Sequence, residues 1–141
     1  MASKTDFTAD EWDSLHIGVT GAGMLVSLSD RDLSDSFGES TAMAKYMAGQ
    51  ATAGPTQLIR EIAAVHGTGF GMTASPEKVR AKTMEALASS IAALSAKAPD
   101  EVDPYRALVL GIAGAVAEAK GGVTPVETSM IEEIRKAIGA G

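Results

Sequence analysis

A helix–acidic turn–helix pattern occurs twice in this chain. A repeat constrains a fold more tightly than any short motif, because it says how the fold is assembled. The first copy runs from Leu15 to Met47 and turns at Asp30, Asp32, Asp35 and Glu39. The second runs from Asp103 to Ile138 and turns at Glu118, Gly121, Gly122 and Glu127. An offset of 88 residues sets Glu39 on Glu127, Asp30 on Glu118 and Gly23 on Gly111, and it superimposes the apolar stretches before the turns. Few residues are identical, so the repeat is one of pattern.

Helix starts are marked by capping chemistry. Thr124-Pro125-Val126-Glu127 is a capping box with proline at the first helical position. Ser75-Pro76 and Asp103-Pro104 repeat the cap-then-proline order, and Gly54-Pro55-Thr56 opens a further helix. Thr8-Ala9-Asp10-Glu11 and Ser36-Phe37-Gly38-Glu39 are capping boxes without proline. Together with apolar stripes such as Val79, Met84, Leu87, Ile91 and Leu94, these signals predict helices over 9–29, 36–49, 56–66, 76–97, 104–119 and 125–138. No segment reads as a strand.

Ile17 to Leu28 and Ala107 to Ala117 are apolar nearly all round, as helices buried on every side are. Glycines 18, 21, 23, 111 and 114 within them weaken a helix, a cost offset where close backbone contact is needed. The expectation is that these two helices cross at the centre and the amphipathic helices wrap around them. The fold class is all-α: one domain over 1–141, a bundle of about six helices in two pseudo-repeated halves. Residues 1–8 are expected to be disordered, and 67–75 to form a Gly-rich linker between the halves.

Composition narrows the function classes. With 45% hydrophobic and 21% charged residues in 141, the chain is globular and can bury a core. It has no cysteine, which removes disulfides, thiolate metal sites and cysteine nucleophiles. The net charge is −6, and residues 1–50 hold eight acids against three bases, so the acidity belongs to the first copy. No basic patch exists to follow a phosphate backbone, which argues against nucleic acid. The longest apolar run, Ala107 to Ala117, is short of the ~20 residues a bilayer span needs, and the start lacks the apolar run of a secretory signal. A cytoplasmic protein with no membrane segment is expected.

The second copy, Val109-Leu110-Gly111-Ile112-Ala113-Gly114-Ala115-Val116-Ala117-Glu118 through Thr124-Pro125-Val126-Glu127, resembles the tellurite-resistance TerB-like family. The shared pattern is a buried helix, an acidic or glycine turn, and a glutamate opening the next helix. Val26-Ser27-Leu28-Ser29-Asp30 through Glu39 looks like that family's other acidic turn. The resemblance covers about half the chain and departs from the pattern at Lys120, where a second carboxylate is wanted. It implies an all-α bundle of repeated halves, an association with stress response, and metal binding.

Asp30-Arg31-Asp32-Leu33-Ser34-Asp35 is the leading candidate site. Hard cations such as Ca²⁺ and Mg²⁺ take several oxygen ligands on a flexible turn, which Asp30, Asp32 and Asp35 with Glu39 can supply. It is not an EF-hand, because Asp35 stands where glycine is required and Thr41 where the closing glutamate belongs. The competing reading is a solvated turn in which Asp35 or Ser36 caps the next helix and Glu39 completes the box. The second turn keeps Glu118 and Glu127 but carries Lys120, and Glu127 reads as a capping-box residue.

Other constellations are poorer. Asp13 and His16 stand one helical turn apart, half of a di-iron motif with no second half, and His16 follows Trp12 by four residues. His66 reads as a helix-end residue. Gly67-Thr68-Gly69-Phe70-Gly71-Met72-Thr73 lacks the strand and lysine of a phosphate loop, though Phe70 and Met72 could dock on the bundle or a partner. Without a nucleophile elbow or a triad, no enzyme is indicated. Two readings follow: a non-enzymatic TerB-like accessory protein with a Ca²⁺ or Mg²⁺ site in the turn 30–39, or a metal-independent protein–protein interaction module that self-associates, perhaps as a homodimer, or binds a protein partner.

Overall fold

The computed structural model describes residues 2–29, 36–65, 75–119 and 125–139. Six α-helices lie among them: α1 (Ala9–Ser29), α2 (Ser36–Ala53), α3 (Gln57–Ala63), α4 (Pro76–Lys97), α5 (Val102–Glu118) and α6 (Pro125–Ala137). Short 3₁₀ turns cover Lys4–Asp6 and Pro99–Glu101. No strand occurs among the described residues, so the architecture is an all-α bundle.

The caps set the boundaries as the sequence indicates. At α1 the Thr8 amide donates to Glu11 Oε1 at 2.8 Å while the Glu11 amide donates to Thr8 Oγ1 at 3.1 Å, a reciprocal capping box. Ser75 accepts from the Lys78 amide and Thr56 from the Ile59 amide. Three boundaries differ from expectation. Helix α2 runs past Gly49 to Ala53 and stops where the Gly54 amide donates to the Gln50 carbonyl, just before Pro55. Helix α3 closes at Ala63. Helix α5 begins at Val102, with Pro104 inside its first turn, where a missing amide hydrogen costs nothing.

Helix α1 touches all five other helices. Residues 15–23 form an unbroken buried run, which is why their sequence can be apolar around the whole circumference. Helix α5 departs from the expectation. It buries Tyr105, Leu108, Val109, Ile112, Ala113, Val116 and Ala117. Ala107 on its outer side is exposed, and Leu110, Gly111, Gly114 and Ala115 are half-buried. Helix α5 also touches all five other helices, so both are central, but only α1 is enclosed all round, over residues 15–23.

Four of the glycines in α1 and α5 receive side chains rather than another backbone, and at Gly114 an added Cβ would meet nothing. A Cβ at Gly18 would overlap the Tyr105 hydroxyl, one at Gly21 the Thr83 side chain, and one at Gly111 the Tyr46 hydroxyl. At Gly23 it would crowd Met43, whose Cε lies 3.0 Å from that position. The deepest of these fits is Tyr105. Its hydroxyl donates to the Leu15 carbonyl at 2.8 Å and lies 3.3 Å from Ser90 Oγ, joining α1, α4 and α5 at one point. Burial pushes that hydroxyl far above the ordinary phenol range, so it stays a donor.

The N-terminal segment corrects the expectation of disorder. Residues 2–8 are described, Phe7 is buried, and Ser3 and Asp6 form a capping box around the first 3₁₀ turn. At the other terminus Arg106 Nε donates to the Ile138 carbonyl at 2.7 Å and Nη1 to Asp103 at 3.0 Å. The backbone at Gly139 turns left-handed with φ 70°, which glycine tolerates, and passes close under the same guanidinium.

Two substitution experiments check this packing. Gly18→Ala should lower the stability measured in urea by about 1–3 kcal/mol, because the Tyr105 ring has no room to move. Gly49→Ala, where an added Cβ meets nothing, should raise it by about 0.5–1 kcal/mol. Separately, Tyr105→Phe should cost about 1–2 kcal/mol by the same assay, the loss of a buried hydrogen bond without a change of shape.

Candidate functional site

Pairings between helices fix which ends lie together. Along α1 and α4, Glu11 meets Lys97, Gly18 meets Leu87 and Gly21 meets Thr83, so the two run antiparallel. Helices α2 and α5 are antiparallel too, with Tyr46 on Gly111 and Thr56 Oγ1 donating to Glu101 Oε2 at 2.7 Å. Met43 on Gly23 and Arg106 on Ile138 set α2 against α1 and α6 against α5. One pole therefore gathers Ser29, Ser36, Ser75, Glu118 and Pro125. The opposite pole gathers the starts of α1 and α5 and the ends of α2 and α4.

Both turns singled out by the repeat span described helix ends at the first pole. Asp30, Asp32 and Asp35 themselves lie outside the described residues. Glu39 is in α2, and its side chain lies outside the description, as does that of Glu127. Glu118 is exposed on the last turn of α5. Counting seven residues from the Tyr46–Gly111 contact reaches Glu39 toward the start of α2 and Glu118 toward the end of α5. Both are about 10 Å along their helices, so they stand at one level.

Helix α2 is described from Ser36, and Glu39 falls on the stripe that includes Met43 and Tyr46.

The field at this pole is mixed. Helices α1 and α5 end there, with no basic residue in the last turn of either. Helix C-termini disfavour negative charge, yet Glu118 is the last residue of α5 and Asp30 is the next residue after α1. Helix α4 starts there with Lys78, Arg80 and Lys82 exposed, a basic cluster the sequence reading overlooked because it lies far along the chain. Arg80 pairs with Glu133 of α6 at 2.9 Å.

The remaining sequence candidates do not assemble. Asp13 is exposed while His16 is buried, so they do not share a face. Among the described residues no group of three or more His, Asp or Glu side chains is placed to hold a metal. His66, Phe70 and Met72 lie outside the described residues, as does nearly all of the expected 67–75 linker. Burial raises the hydroxyl of Tyr46, which sits against Gly111. No protein-family model matches the chain, and no curated protein or solved structure does either.

The capping of α2 can be tested in chelator-treated protein. Of Asp35→Ala and Ser36→Ala, the one that removes the N-cap side chain should cost about 1 kcal/mol of stability to urea and the other much less.

Proposed function

We propose that the chain is a non-enzymatic, TerB-like accessory protein of stress response, acting in the cytoplasm, that holds a divalent cation at the pole where the two turns meet. Asp30, Asp32 and Asp35 are the ligands, with Glu39 as a fourth. Ca²⁺ or Mg²⁺ fits their all-oxygen chemistry. The observation that supports this reading most is Glu118, exposed as the last residue of α5 at the pole where α1 also ends. A carboxylate at a helix C-terminus is disfavoured by roughly 0.3–1 kcal/mol, and a bound cation removes that conflict. The quoted resemblance of both turns to the TerB-like pattern supports the same assignment.

A second reading is favoured by a different feature. The outer faces of α2 and α5 carry little charge besides Lys45 and Asp103: Ala44, Ala48, Gly49 and Ala107 are exposed and Leu110 is half-buried. Weakly charged faces of this kind suit a protein–protein contact, with a partner or a second copy of the chain. No helix among the described residues is long and apolar enough to cross a membrane.

Thermal melts of chelator-stripped protein with and without Ca²⁺, Mg²⁺ or Mn²⁺ separate the two. A cation at 100 times its dissociation constant should stabilise by ~2.7 kcal/mol, and Asp32→Asn should remove that response while leaving the metal-free melt in place. An interaction module gives no cation response. Its molecular mass and melting temperature depend on protein concentration instead, and Leu110→Glu removes that dependence.

A further inference from the structure

The opposite pole holds a device that the cation reading does not use. Residues 2–8 lie as a strap against the start of α1, Glu61 of α3 and the end of α4. Three strap amides are bonded by carboxylates, one of which, Asp6, belongs to the strap itself. The Ser3 amide donates to Asp6 Oδ2 at 2.8 Å, the Lys4 amide to Glu61 Oε1 at 3.3 Å, and the Thr8 amide to Glu11 Oε1 at 2.8 Å. The same Glu11 oxygen accepts Lys97 Nζ, which also lies 5.8 Å from the centre of the Phe7 ring. Lys4 Nζ stands 5.5 Å over the Trp12 ring. Phe7 supplies the apolar part of the attachment.

From these contacts we infer that residues 2–8 are an acid-released cover: protonation of Asp6, Glu11 and Glu61 frees the strap and bares the Phe7–Trp12 surface while the bundle stays folded. Amides bonded to a carboxylate lose both charge assistance and acceptor strength when it is protonated. Two internal ties of the bundle, Tyr105 to Leu15 and Arg106 to Ile138, end on backbone carbonyls and do not titrate, whereas Thr56–Glu101 and Arg80–Glu133 are further carboxylate ties. Lys97 and the Thr8 amide hold the Glu11 carboxyl below the ordinary 4.5. A carboxylate lowered by folding stabilises above its unfolded value and loses that contribution as the pH falls. The strap is thus closed at neutral pH and opens below about pH 4.5. The other ionisable groups nearby are Asp10, Asp13 and His16 on α1, Lys97 on α4, and Asp100 and Glu101 before α5.

Trp12 is the single tryptophan, so its emission reports on the strap directly. Emission and acrylamide quenching should be followed from pH 7 to 3 in the full chain, with far-UV circular dichroism reporting the helices. The expected result is a red shift and a severalfold rise in quenching that come before any loss of helix. The triple variant Asp6→Asn, Glu11→Gln, Glu61→Gln should show much of that signal at neutral pH. Phe7→Ala should show it at every pH. The inference is overturned if emission changes only together with the helical signal, or if the triple variant matches the parent at neutral pH.

Discussion

The seating of Tyr105 against Gly18 is the contact on which the rest of the bundle depends. It brings a phenol from α5 between α1 and α4, and its hydroxyl finds an acceptor on the α1 backbone. A buried donor without that acceptor would cost several times what the bond contributes, so the level of α5 along α1 is fixed closely. Gly21 beneath Thr83 and Gly23 beneath Met43 set α4 and α2 in the same way. With few aromatic side chains available, the protein gains specificity from sockets: a missing Cβ on one helix matched to a large or branched side chain on another.

This arrangement gives the molecule two unlike ends. Helices α1 and α4, and likewise α2 and α5, are registered at their middles and finish at shared poles. At one pole Glu118 ends α5 beside the end of α1, with Lys78, Arg80 and Lys82 at the start of α4. At the other, a short N-terminal strap is fastened by carboxylates over Phe7 and Trp12. Charge therefore does separate work at each end, while the shaft between them is held by apolar packing and neutral hydrogen bonds.

Much of this was legible in the residues, for local reasons. Helices α1 and α4 have their expected limits because Thr8–Glu11 and Ser75–Pro76 state their starts within four residues of sequence. What was not legible depends on partners distant in the chain. Gly49 reads as a stop, yet α2 continues because nothing blocks it until Gly54 and Pro55. The strap reads as disordered because Glu61 and Lys97, which hold it, lie 57 and 86 residues away from their partners. The glycines of α1 and α5 show that something approaches closely, but not whether it is backbone or side chain. Of the candidate site, the acidic composition was plain, whereas its position at two helix C-termini and the nearness of Lys78, Arg80 and Lys82 required the packing.

The central claim is that the two turns form one cation-binding pole. The most direct test is to add substoichiometric Mn²⁺ to isotopically labelled protein and map amide line broadening by NMR. The account predicts broadening concentrated at the end of α1, the start of α2 and the end of α5, with the strap at the far pole unaffected. Uniform broadening, or none that favours those three helix ends, would contradict it.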